Sequence, residues 1–177
     1  ILAMVVSNNL MDAANSEARK YISDKADLIA AWRLPNDAFL KNAGTEVTTD
    51  IIILQKREAG AEPNGIKWTD ISSVKDHEGK ADVPTNEYFT KHPENMFGKW
   101  GLYGTMYRPD MPALVSSEGQ NTADLLSDAI SRLPEGLFTN IEREPVKEKI
   151  LSPGDIKGIK IDSMFMNNGK VFKRGAD

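Results

Sequence analysis

Few residues in this sequence are spaced for chemistry on their own. There are two histidines, His77 and His92, and no cysteine. Both histidines lie in polar segments without further donors at metal-ligand spacing, so no metal site is expected. Disulfides and thiolate ligands are excluded. The acidic side chains are scattered, and none pair as general acid and base. Gly98-Lys99-Trp100-Gly101 has the composition of a phosphate loop without its spacing. What remains is a set of polar and aromatic positions. Ser7-Asn8-Asn9 closes an apolar run, where it either lines a pocket or only stops a strand. Lys41, Lys56 and Arg57 can meet phosphate or stand in solvent. The segment from Phe97 through Trp100 and Tyr103 to Tyr107 either reads a target or builds a small satellite core.

These residues need elements to hold them. Residues 1–7 open with Ile1-Leu2-Ala3-Met4-Val5-Val6, a continuous apolar run that predicts a buried strand. It has neither the basic start nor the cleavage site of a secretory signal, and it reads as a chain that begins inside a strand. Ser16 is the expected cap of a helix carrying Ala18, Tyr21, Ile22 and Ala26. Leu28-Ile29-Ala30-Ala31-Trp32 predicts a second strand, broken at Pro35. A loop or short helix with Phe39 and Leu40 follows. Ile51-Ile52-Ile53-Leu54, within 45–57, predicts a third strand from its β-branched side chains. Strand, helix, strand, loop, strand is the order of an α/β domain.

Beyond residue 57 the composition turns polar, and 58–84 reads as a loop excursion with one short strand at Ile66-Lys67-Trp68. Residues 85–92 predict a short helix closed by Pro93. Asn121 is the expected cap of an amphipathic helix with Leu125, Leu126, Ala129, Ile130 and Leu133 on one side, ended by Pro134 and Gly136. The tail begins charged at Glu142. Ile159-Lys160-Ile161-Asp162 alternates like a strand, and Asn167-Asn168-Gly169 before Lys170-Val171-Phe172 predicts a hairpin. The division expected is 1–57, 58–141 and 142–177.

Composition is that of an ordinary folded domain, with 40% hydrophobic and 27% charged residues. The net charge of −4 argues against a self-sufficient DNA-binding module, though not against part of a larger DNA surface. No run is long enough to cross a bilayer, and the lack of cysteine fits a cytoplasmic setting.

Three stretches together carry a resemblance. They are Ala3-Met4-Val5-Val6-Ser7-Asn8; Asp27-Leu28-Ile29-Ala30-Ala31-Trp32-Arg33-Leu34-Pro35-Asn36-Asp37-Ala38-Phe39; and Ala43-Gly44-Thr45-Glu46-Val47-Thr48-Thr49-Asp50-Ile51-Ile52-Ile53-Leu54-Gln55-Lys56-Arg57. A weaker likeness continues through Tyr88-Phe89-Thr90-Lys91-His92-Pro93-Glu94 and Leu133-Pro134-Glu135-Gly136. Over residues 1–57 the chain resembles the second half of the amino-methyltransferase domain of adenine-specific DNA methylases. It is most similar to the large methylase–helicase proteins of phages and mobile elements.

The resemblance implies a partial Rossmann-like sheet, the last three strands of a methyltransferase, with an irregular α+β extension. The final strand would insert antiparallel between the other two. The donor, S-adenosylmethionine, would bind on earlier strands through a glycine-containing acidic motif, and transfer would use an Asp/Asn-Pro-Pro-Tyr/Phe motif. Neither motif occurs here, so the chain alone is expected to lack catalytic residues, to bind no cofactor and to be inactive. The resemblance places the wall of the target-base pocket in loop 35–45. There Phe39 stacks on a flipped adenine or packs under its own loop, and Gly44 and Thr45 let a DNA backbone approach or simply turn the chain. Lys41 and Asn8 complete the expected contacts. DNA is the expected partner of the intact parent, and a half-sheet is also expected to dimerise through its open edge. The competing reading is a DNA-interaction or protein-interaction module that kept the fold without the chemistry.

Overall fold

The computed structural model describes residues 1–58, 60–101, 112–137 and 150–176. The chain divides into two compact units, Ile1–Phe138 and Thr139–Asp177.

The first unit is built on a three-stranded sheet of β1 (Leu2–Ser7), β2 (Ala26–Leu34) and β3 (Thr49–Lys56), in the order β1-β3-β2. β3 is antiparallel to both neighbours, so β1 and β2 run parallel to each other. Helices α1 (Asn9–Asp12) and α2 (Glu17–Ser23) connect β1 to β2. Ser16 stands at the start of α2, but its side chain does not cap it; Asn15 Oδ1 accepts the Glu17 N–H instead. The β2–β3 connection holds one short helix, α3 (Leu40–Ala43).

A bulge between Leu28 and Ala30 resets the alternation of β2. Leu28 and Ala31 therefore face one side, and Ala30, Trp32 and Leu34 the other. Each face of the sheet carries its own core. On one, Leu28, Ala31, Ile52 and Leu54 pack with Met11, Trp68, Tyr88 and Phe89. On the other, Ala30, Trp32, Leu34 and Ile53 pack with Phe97 and Ala129. Burial on both faces fits the continuous apolar run Ile51-Ile52-Ile53-Leu54 within β3.

The two sheet edges differ. The outer edge of β2 is covered. Its Leu28 carbonyl accepts the Ile66 N–H at 3.0 Å, its Ala31 N–H donates to the Tyr88 hydroxyl at 3.0 Å, and its Arg33 carbonyl accepts the Phe97 N–H at 2.9 Å. Among the described residues nothing pairs with the outer edge of β1. The expectation of a buried first strand is corrected here. Met4 and Val6 lean on the core, but Leu2 and Val5 are 50% and 57% exposed, on a strand whose outer edge no described residue covers.

The covering of β2 comes from segments read only partly from the sequence. Ile66-Lys67-Trp68 is not a strand; Gly65 presses this stretch against β2, and Trp68 is buried. The strands are instead β4 (Ile71–Lys75) and β5 (Asp82–Asn86), an antiparallel hairpin whose turn is held by Asp76 accepting the N–H groups of Lys80 and Ala81. The predicted helix at 85–92 begins only at Glu87 (α4, Glu87–Lys91), with Asn86 as its cap. A 3-10 turn, Pro93–Asn95, leads to β6 (Lys99–Gly101), which pairs with β7 (Ala113–Val115). Helix α5 (Thr122–Ser131) is capped by Asn121 as expected. It turns Leu126 and Ala129 to the sheet, with Leu133 packing there just beyond its end, whereas Leu125 and Ile130 are exposed.

In the second unit α6 (Pro153–Lys157) opens with a Ser152–Asp155 capping box. The predicted strand at Ile159–Asp162 is absent: the chain turns there, with Asp162 at φ 68°. The predicted hairpin is present as β8 (Met164–Asn167) and β9 (Lys170–Lys173), joined by Asn168 and Gly169 at φ 48° and 69°. Tyr103, Tyr107 and the charged stretch from Glu142 lie outside the described residues.

Two glycines mark where backbones must touch. A Cβ on Gly65 would sit 2.7 Å from the Leu28 nitrogen, and one on Gly98 2.5 Å from the Val115 carbonyl oxygen. Gly65→Ala and Gly98→Ala should each destabilise the chain by about 1–3 kcal/mol, as overpacking does, read from the midpoint of urea unfolding. A midpoint matching wild type would mean these approaches are looser than described.

Candidate functional site

The sheet end where β1 and β2 finish and β3 begins gathers most of the polar burial. Arg33 on β2 lies directly across from Asp50 on β3. Both side chains are fully buried, and the guanidinium grips the carboxylate with two bonds, Nε to Oδ1 at 2.7 Å and Nη2 to Oδ2 at 2.8 Å. Asp12, at the end of α1, supplies a second carboxylate, with Oδ1 accepting from Nη2 at 3.0 Å. Its Oδ2 lies 2.7 Å from Nη1, close enough for an ion pair but not aligned as a hydrogen bond. The guanidinium also stands 4.3 Å above the Phe89 ring and 5.4 Å from that of Trp100.

Burial disfavours charge on Arg33, yet Asp50 and then Asp12 hold its pKa above the ordinary value. Burial pushes the Asp50 carboxyl up, against the pull of Arg33. These opposite tendencies share one origin: each ion leaves water for the other, and the arrangement stands only while the pair is complete.

The network continues outward. Asp12 Oδ1 also accepts the Asn86 N–H at 2.9 Å, and Asn8 Nδ2 reaches Asp12 Oδ2 at 3.4 Å. Asn86 donates through Nδ2 to the carbonyls of Met11 and Trp68 at 2.7 and 2.8 Å, and accepts the Tyr88 N–H. Arg19, 1% exposed, bonds the carbonyls of Thr69 and Leu10, and burial lowers its pKa. These groups are engaged with one another, so the cluster positions the chain around it.

What it positions is the β2–β3 loop. Asn36 donates to the Leu114 carbonyl at 2.8 Å and accepts the Val47 N–H at 2.9 Å. Thr48 Oγ1 accepts the Leu114 N–H at 3.1 Å, and Ser116 donates to Asp37. Between these anchors Phe39 is half-buried, packed against the Trp32–Phe97 core. Lys41 and Gly44 are exposed, Thr45 half-buried, and Gly44 ends α3 at φ 63° with open space around it. The Asn8 N–H meets the Thr48 carbonyl at 3.4 Å, so Asn8 stands at the base of this loop.

Lys56 and Arg57 do not join the group. At ~3.4 Å per residue, β3 carries Lys56 roughly 24 Å from Thr49 at the loop end. Arg57 is corrected as a phosphate or solvent contact: its guanidinium is mostly buried, bound to Asp27 and to the Ser23 carbonyl. Phe97 and Trp100 are core residues. His77 bonds the Trp100 carbonyl, and His92 lies against Tyr88 and beside Glu94. Among the described residues no three His, Cys, Asp or Glu side chains gather as metal ligands.

Arg33, Asp50, Asp12 and Asn86 were not singled out from the sequence. A signal was present: a cation inside Leu28–Leu34 and an acid beside Ile51 sit in runs buried on both faces, where a charge must find a partner.

Compared with protein-family models, with curated proteins and with solved structures, the chain matches none.

Removing one member leaves the others buried and unpaired. Asp50→Asn and Arg33→Met should each destabilise by about 3–5 kcal/mol, and the double variant Arg33→Met/Asp50→Leu by clearly less than their sum. A double-mutant cycle in urea checks this; additive losses would mean the two side chains act independently.

Proposed function

We propose that this chain is the C-terminal portion of an adenine-specific DNA methyltransferase domain, supplying the wall of the target-base pocket while the donor site lies on other strands. The observation that carries this reading is the sheet itself: a reversed strand, β3, set between two parallel ones, β1 and β2, with the apolar outer edge of β1 unpaired among the described residues. That is the arrangement implied by the sequence resemblance for the last three strands of such a Rossmann-like sheet. An open apolar edge is where its earlier strands would continue.

The chemistry explains what the loop would do. The exocyclic amine of adenine is a weak nucleophile because its lone pair is shared with the ring. The enzyme must take the base out of the stack, clamp its faces and align the nitrogen with the donor methyl. Phe39 would supply one face of that clamp, already steadied by its packing on the core. Gly44 and Thr45 would shape the loop beside the base, Lys41 would meet a flanking phosphate, and Asn8 would line the pocket floor next to Thr48. S-adenosylmethionine supplies the methyl group, and none of these residues is assigned to hold it.

The test has two arms. Calorimetric titration of S-adenosylmethionine into this chain should give no binding; micromolar affinity would overturn the strand assignment. In the full-length parent, Phe39→Ala should lower kcat/KM for methyl transfer to duplex DNA by roughly 5- to 150-fold, the equivalent of about 1–3 kcal/mol of stacking. The donor Kd should stay unchanged. A parent that transfers no methyl group to DNA would sink the reading.

The same open edge favours a second reading, a protein-interaction module in which two copies pair through β1. Sedimentation then shows a dimer that Val5→Lys dissociates, whereas a monomer at tens of micromolar counts against it.

A further inference from the structure

The chain as a whole is acidic, but its charge is unevenly spread. Residues 150–176 hold Lys157, Lys160, Lys170, Lys173 and Arg174 against Asp155 and Asp162, a net of +3 in a chain of −4, which leaves −7 for all the rest. Lys157, Lys160 and Lys170 are exposed and make no ion pair among the described residues; Lys173 pairs with Asp162 at the surface.

The same stretch has no fully buried residue. Its β8–β9 ribbon carries Met164, Met166 and Val171 on one face, each over 60% exposed. On the other face Phe165 stacks on Phe172 with ring centres 5.8 Å apart. A two-stranded ribbon with an uncovered apolar face is marginal in water, and such a face marks a surface that something covers.

Charge selects the occupant. A cationic ribbon with apolar side chains suits either a nucleic acid or an anionic lipid surface. Insertion into lipid would want apolar residues at the tip. The tip here is Asn168-Gly169, flanked by Asn167 and Lys170, and the apolar residues lie along the flat of the ribbon. A ribbon of this kind matches the width of the DNA major groove.

We propose that residues 150–176 are a duplex-DNA contact: the β8–β9 ribbon enters the groove and Lys157, Lys160 and Lys170 meet phosphates. The choice of DNA among polyanions rests on the function proposed above. Binding needs no methyl donor, however, so the two ideas can fail separately.

Fluorescence anisotropy of a labelled duplex with the full chain tests it. Salt-dependent binding is expected, and Lys157→Gln/Lys160→Gln/Lys170→Gln should weaken it about tenfold or more while reducing the slope of log K against log salt by about 0.9 per cation lost. Val171→Ser should weaken binding with the salt slope unchanged, which separates apolar contact from charge. No duplex binding at 50 mM salt, or binding that the triple lysine variant leaves intact, overturns the proposal. So does binding to vesicles of phosphatidylserine and phosphatidylcholine with none to the duplex. A chain that binds duplex through these lysines while its parent transfers no methyl group retires the methyltransferase reading and leaves this one standing. Methyl transfer with ribbon-independent DNA binding does the reverse.

Discussion

The ion cluster of Arg33, Asp50 and Asp12 is the constraint on which the rest of the first unit depends. A buried ion pair contributes little net stability over an apolar pair of the same size, because the desolvation of both ions offsets their attraction. Its value here is geometric. Arg33 and Asp50 are direct cross-strand partners, so a one-residue slip of β2 on β3 would turn one of them to the opposite face. Each would then be a bare charge in an apolar core. Apolar side chains on both faces of β2 and β3 discriminate weakly between registers; this pair discriminates strongly.

Asp12 extends that constraint beyond the sheet. Through it the guanidinium fixes the end of α1, and through the Asn86 N–H it fixes the junction of β5 and α4. Asn86 in turn caps α4 and so sets Tyr88, whose hydroxyl covers the Ala31 N–H on the outer edge of β2. One chain of hydrogen bonds, charge-assisted at its Arg33–Asp50–Asp12 start, thus runs from the sheet interior to the element that closes its edge. The loop holding Phe39 begins two residues beyond Arg33 and returns two residues before Asp50, so both its ends inherit the same anchor.

Much of this was legible as pattern and little of it as placement. Continuous apolar runs announced β1, β2 and β3, the last rich in β-branched side chains, and Asn168-Gly169 announced a hairpin, because those signals are local. The bulge at Leu28 was hidden: in Leu28-Ile29-Ala30-Ala31-Trp32 every residue is apolar, so no alternation exists to break. β4 and β5 were hidden for the opposite reason, since Ile71, Val74 and Val83 are too sparse to show a period; the hairpin rests on the Asp76 turn and on the tertiary contact of Val83 with Trp100 and Leu114. Ile159-Lys160-Ile161-Asp162 did alternate, but a capped helix just before it and a left-handed Asp162 set the path there. Of the candidate site, Phe39, Lys41, Gly44 and Thr45 became visible through family likeness, whereas Arg33 and Asp50 were visible as charges stranded in apolar strands and needed only the demand for a partner.

The contrast between the two edges ties the sheet to the site. β2 is shielded by three backbone contacts and by the close approach of Gly65. β1 has none of the devices that keep a free edge harmless: no lysine, no proline and no bulge interrupt Leu2–Ser7, and its register with β3 is regular throughout. A strand so unguarded is suited to being paired, by a strand of the same or another protein. Any strand paired there would run past Ser7 and Asn8, at the end of the sheet where Asn8 touches the base of the Phe39 loop. Pairing of the β1 edge and placement of the Phe39 loop are therefore linked through Asn8 at one end of the sheet.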